Sequence, residues 1–184
     1  MVMGPDSVRE MRVDEQPEVD ALLRAAFLTG DEADLLLKLR SDGVMWAEFV
    51  LPWQGKVAAY AGISRMVAPV GWGCVAPVAV LPEFQNAALA PAPELAGQYR
   101  FGSRLMAWLP ELVRLKASAQ GADKDIPSTL VVVGKPSFYA RAGFSQARAV
   151  RLISDYPLEY TLIARPGDDV PTERLIYPAA FAGL

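Results

Sequence analysis

The chain has 184 residues, 52% hydrophobic and 21% charged, which suits one globular core and leaves no room for two large domains. Its 18 Lys and Arg against 21 Asp and Glu give a net charge of -3, which argues against a broad basic face for nucleic acid, so an anionic ligand must be held locally. There is no histidine and one cysteine, Cys74, so a Ser-His-Asp triad, a Cys-His pair, a histidine-ligated metal and an internal disulfide are all excluded, and acid-base work falls to Asp, Glu, Tyr, Lys or Cys.

Asp6, Glu10 and Asp14 interrupt the amino-terminal stretch where a signal peptide needs an apolar run, and runs such as Val75 to Leu81 are far shorter than the roughly 20 residues that span a bilayer. The expectation is a soluble cytoplasmic protein that contacts neither membrane nor nucleic acid. Met11 to Val13 end a short first strand, and Asp14 is placed to cap the helix that follows, in which Val19, Leu22, Leu23, Ala26 and Phe27 recur at helical spacing. A second helix begins near Asp31, carries Leu36, Leu37 and Leu39, and ends at Asp42-Gly43. Three apolar runs come next, Met45 to Leu51, Val57 to Val67 and Gly73 to Leu81. Gln54-Gly55-Lys56 and a turn containing Pro69, Gly71 and Gly73 separate them, which predicts an antiparallel meander. Pro77 lies inside the third run, where it cannot donate a ladder bond, so a bulge, an edge or a break in pairing is expected there.

Residues 86 to 97 are Ala/Pro-rich and read as an inserted loop or short helical segment. Gly102 to Ser118 has a helical stripe through Leu105, Leu109 and Leu112, with Pro110 expected to kink or divide it. Ser128 to Val133 is a continuous apolar strand, Pro136 to Ala142 a short helix closed by Gly143, and Phe144 the start of the next strand. Arg148 to Ile153 and Glu159 to Ala164 are expected to pair. From about residue 166 a Pro/Gly-containing tail packs back through Leu175, Ile176, Tyr177 and Phe181. The order predicts an α/β fold with a mixed sheet in a single domain spanning 1–184. The apolar content and the tail aromatics point to a homodimer.

Three stretches carry a family resemblance: Ala76 to Gln85 (APVAVLPEFQ), Phe101 to Met106 (FGSRLM) and Val131 to Phe144 (VVVGKPSFYARAGF), the last being the most specific. Together with the element order they resemble the GNAT superfamily of acyl-CoA-dependent N-acyltransferases, and the Tyr156-Pro157 and Tyr177-Pro178 segments are similar to those of a bacterial acetyltransferase subgroup. The resemblance implies a mostly antiparallel central sheet flanked by helices, with splayed central strands, and acetyl-CoA as cosubstrate with no metal.

It further implies that the backbone of Val78 to Val80 pairs with the pantetheine arm, in the manner of strand addition. A loop leading into a helix then holds the pyrophosphate on backbone amides. The family's glycine-rich loop has two possible frames here, Gln85 to Ala90 and Gly97 to Gly102. The second leads directly into the helix and makes Arg100, Phe101, Gly102, Ser103 and Arg104 the cofactor-binding candidates; the two arginines read as phosphate contacts or as solvated surface charges.

Tyr139 falls where family members place the acid that protonates the leaving thiolate, and the plain alternative is a packed aromatic; Phe138 is assigned to packing or to the acyl-CoA arm. Glu83, with Glu48 behind it, is the candidate base, against an ordinary surface carboxylate. Trp46, Trp53 and Trp72 are candidates for an acceptor pocket or for core. Two functions follow: acetyl transfer from acetyl-CoA to a primary amine of a small molecule by direct attack in a ternary complex, or a GNAT-fold interaction module that has lost catalysis with its altered glycine loop.

Overall fold

The computed structural model describes residues 7–85, 100–118 and 125–182. Six strands form one sheet in sequence order: β1 (Arg9–Glu10), β2 (Met45–Trp53), β3 (Lys56–Arg65), β4 (Trp72–Val80), β5 (Thr129–Val133) and β6 (Thr161–Ala164). All neighbours are antiparallel except β4 and β5, which run parallel. Helices α1 (Gln16–Ala26) and α2 (Asp31–Ser41) lie between β1 and β2 in the chain, α3 (Phe101–Ser118) between β4 and β5, and α4 (Pro136–Arg141) after β5.

Strand alternation sorts the core onto two faces. Phe49, Leu51, Ile63, Leu130 and Val132 pack with Leu105, Met106 and Leu109 of α3. On the opposite face Val50, Val57 and Tyr60 meet Val19, Leu22 and Leu23 of α1, while Trp72, Cys74 and Val131 meet Leu35 and Leu39 of α2 together with Leu175 and Phe181 of the tail. A helical register set by Leu35, Leu36 and Leu39 leaves Leu37 on the exposed side, contrary to expectation, and Ile176 is also exposed although its backbone pairs with Ala68.

The expected hairpin at Gln54-Gly55 is present, both residues having positive φ, and Gly143 closes α4 at φ 100°. Pro77 sits in a bulge: Ala61 pairs with Val78 and Ile63 with Val75, so Ala76 and Pro77 together oppose Gly62. Pro110 does not divide α3, because buried Leu105, Met106 and Leu109 before it and Val113 after it anchor both halves on one sheet face. Asp14 does not cap α1 as expected: it lies in a 3-10 turn, Val13–Glu15, that leads into the helix, and the buried Glu15 carboxylate reaches back to accept the Arg12 amide at 2.8 Å and pairs with Arg9 at 2.6 Å. The anticipated strand at Arg148 to Ile153 is a run of turns, in which the amides of Ala149 and Leu152 fold back onto Gln146 and Ala149. The Arg148 guanidinium ties them down through the carbonyls of Arg165, Pro166 and Asp169. Phe144 likewise opens no strand, although Ser145 makes a single bridge to Ile163. The partner of β6 is instead β5, from Leu130 opposite Ala164 to Val133 opposite Thr161. The Ala/Pro-rich segment 86–97 lies outside the described residues.

Candidate active site

The parallel pair β4–β5 holds register over only three residues, Trp72 with Thr129, Gly73 with Leu130 and Cys74 with Val131. Beyond Cys74 the strands diverge, while β4 stays paired to β3 through Val80. The amide of Leu81, just past the end of β4, donates to Ala58, and alternation then turns the peptide groups of Val78 and Val80 away from β3, toward the gap. On that side the Val80 carbonyl accepts the side-chain amide of Gln85 at 2.9 Å. The bulge at Pro77 and the splay thus leave an unpaired strand edge, and a cavity opens at each part of it.

The first cavity, about 300 Å³, lies between the end of β4 and the start of α3. It is lined by Val80, Phe84, Gln85, Arg100 to Ser103, Phe138 and Arg141. The first-turn amides of Gly102 and Ser103 have no acceptor within the helix, since the first ladder donor is Arg104, bonded to Arg100 at 2.9 Å. Neither Arg100 nor Arg141 has an ion-pair partner among the described residues. Two guanidiniums and a helix start therefore face one space, a set suited to phosphate oxygens. Gly102 lies at a close approach: a Cβ there would stand 3.2 Å from Val80 Cγ2 and 3.4 Å from Phe138 Cζ. Arg104 lies outside this lining, its guanidinium 6.0 Å from the Phe101 ring centroid.

The second cavity, about 330 Å³, runs along Cys74 to Val78 of β4 and is closed by Val133, Tyr139, the first residues of α2 and the tail. Adjacent residues of α4 thus face different spaces, Phe138 the first and Tyr139 the second. Tyr139 is held by its rings' neighbours, Phe138 at 5.0 Å and Phe144 at 6.0 Å, and by Gly134, where a Cβ would fall 2.5 Å from the tyrosine ring. Its hydroxyl has no hydrogen-bond partner among the described residues. Burial, followed by the neighbouring Cys74, pushes the phenol above its ordinary value, so it stays a proton donor at neutral pH. Burial alone pushes the Cys74 thiol up to about 12.

Glu83 is not brought to either cavity; it is exposed and pairs with Lys56 at 3.2 Å. Glu48 is committed to structure, accepting from Arg40 at 2.5 Å and from the Tyr60 hydroxyl at 2.7 Å. The tryptophans also lie elsewhere. Trp46 donates to the Asp125 carbonyl beneath the Arg65 guanidinium, Trp53 packs edge-on against Phe101, and Trp72 lies under Arg165. In their place the second cavity has Tyr156, with Tyr177 and Phe181 from the tail, and Glu32 from α2; Tyr156 meets Tyr177 edge-on at 4.9 Å, and Tyr177 meets Phe181 at a tilt, 5.9 Å apart. The two Tyr-Pro dipeptides were the sequence signal for this wall; Glu32 carried none.

Solved structures share this architecture. A GNAT family N-acetyltransferase from Escherichia coli, YhbS, in complex with CoA aligns with a TM-score of 0.69 and 25% identity over 98% of this chain and 96% of that one. A GNAT family acetyltransferase from Brucella melitensis in complex with acetyl-CoA aligns with a TM-score of 0.63 and 21% identity, over 95% and 96% of the two chains. The ribosomal-protein-S18-alanine N-acetyltransferase of Escherichia coli aligns at 0.51 and 15% identity over 94% and 95%. By sequence, the chain matches no family model and no curated protein. The chain thus has the fold of these GNAT acetyltransferases, a mostly antiparallel sheet flanked by helices. No described helix is long and apolar enough to cross a membrane, and no group of metal-ligating side chains occurs among the described residues.

Proposed function

We propose that the protein transfers an acetyl group from acetyl-CoA to a primary amine of a small molecule, by direct attack in a ternary complex. The observation that carries this reading is the unpaired edge of β4, which passes from the cationic cavity at α3 to the tyrosine-lined cavity at α4. The pyrophosphate is held by the amides of Gly102 and Ser103 with Arg100 and Arg141, and the pantetheine arm lies along the peptide groups of Val78 and Val80 beside Phe101 and Phe138. The acetyl carbonyl then reaches the second cavity.

The free amine attacks that carbonyl, a C–N bond forms and the C–S bond breaks. Tyr139 gives its proton to the departing thiolate and recovers one from the nitrogen, so the products are the N-acetyl amine and CoA thiol. A route through acyl-Cys74 is disfavoured, because a thiol pushed up to about 12 is thiolate to about one part in 100,000 at pH 7. Glu83 has no part in this scheme.

The test is amine-dependent release of CoA thiol across a panel of primary amines, with the acetylated product identified by mass. Turnover with at least one amine, lost when Tyr139 is replaced by Phe, is the expected result. Hydrolysis without amine dependence would overturn it.

A further inference from the structure

The two cavities differ in charge. Among the described residues the first is lined by Arg100 and Arg141 and by no acid, whereas the second is lined by no Lys or Arg and by one acid, Glu32 in the first turn of α2. Glu32 is partly buried, and its Oε2 is fully buried without a hydrogen-bond partner. A buried carboxylate oxygen left unsatisfied is costly, and a ligand that brings N–H donors to this carboxylate relieves it. The remaining wall is apolar or aromatic: Phe27, Leu35, Tyr156 and Phe181. Ring faces of this kind attract a cation as well as an apolar body. The volume, about 330 Å³, lies at the small end of ligand sites, which run from about 300 to 1,000 Å³.

We infer that the second cavity is selective for a compact apolar or aromatic primary amine that carries no carboxylate, and that Glu32 is the group that holds its ammonium. This rests on the transferase reading only for calling the ligand an acceptor; the cation selectivity follows from the cavity itself. An amino acid fits poorly, because its carboxylate would find no cation in the lining and would face Glu32.

The experiment is calorimetric titration of the full chain with benzylammonium, in the absence of any acyl donor so that no turnover contributes. Phenylacetate and phenylalanine are titrated alongside as probes of similar body, and Glu32→Gln is the variant, with thermal melts confirming that it folds. Benzylammonium is expected to bind the wild type, phenylacetate and phenylalanine to bind at least tenfold more weakly, and E32Q to weaken benzylammonium at least tenfold. In turnover the same variant raises KM for the amine with KM for acetyl-CoA unchanged. Equal binding of the cation and the anion, no binding of the cation, or an E32Q affinity equal to wild type would each overturn the inference. Binding of benzylammonium with the expected E32Q loss, in a protein that does not bind acetyl-CoA, would keep the cation site and sink the transferase reading.

Discussion

Tyr139, Cys74 and Glu15 show how burial sets the chemistry available to single residues. A phenol raised by burial remains a donor past pH 10, so the wild-type kcat is expected to show no alkaline decline attributable to it below that pH. Tyr139→Phe is expected to lower kcat by about 100-fold or more with KM for acetyl-CoA unchanged, measured by thiol release. Cys74, buried and pushed up to about 12, is expected to resist a thiol reagent in the native protein and to react stoichiometrically once the chain is denatured. Glu15 is driven the other way. The Arg9 guanidinium, aided by the Arg12 amide, lowers its carboxyl from 4.5 to about 2 against the cost of burial. A depressed folded-state value means that its contribution is complete above about pH 4.5 and is lost as pH falls toward 2. Denaturant titration is expected to show Glu15→Gln destabilised by about 1–3 kcal/mol at pH 7, with the gap to wild type closing between pH 4.5 and 2.

At the scale of elements, the passage from β5 through Gly134 into α4 was legible in the sequence because an apolar run, a glycine and a proline at the first helical turn are local signals. The hairpin and the bulge at Pro77 were legible for the same reason: backbone restrictions act on the residue that carries them. Arg148 to Ile153 misled because its apolar residues look like strand material, whereas its amides are taken up in turns fixed by long-range bonds from Arg148. Glu32 was invisible because a carboxylate in the first turn of a helix is ordinary; what distinguishes it is the tail folding across α2, some 145 residues further along the chain. The start of α3 yields its own prediction. A valine at Gly102 would drive methyl groups into Val80 and Phe138, and overpacking of about 1–3 kcal/mol is expected to weaken acetyl-CoA at least tenfold in calorimetry while the chain stays folded.

For the whole molecule, the absence of histidine ceases to be only an exclusion. In the proposed reaction a thioester brings an activated carbonyl, and the peptide groups left unpaired where β4 diverges from β5, the first amides of α3 and the Tyr139 phenol do the remaining work without imidazole. Simultaneous occupancy of both cavities predicts initial-rate patterns that intersect rather than run parallel when acetyl-CoA and amine are varied together. The arrangement stands or falls on whether the first cavity holds the donor. The most direct measurement is calorimetric titration of the full chain with acetyl-CoA, repeated after Arg100 and Arg141 are both replaced by Ala. One-to-one binding in the range of about 1 μM to 1 mM, weakened at least tenfold in the double variant, is the predicted result. No heat of binding at millimolar acetyl-CoA, or binding indifferent to both arginines, would contradict it.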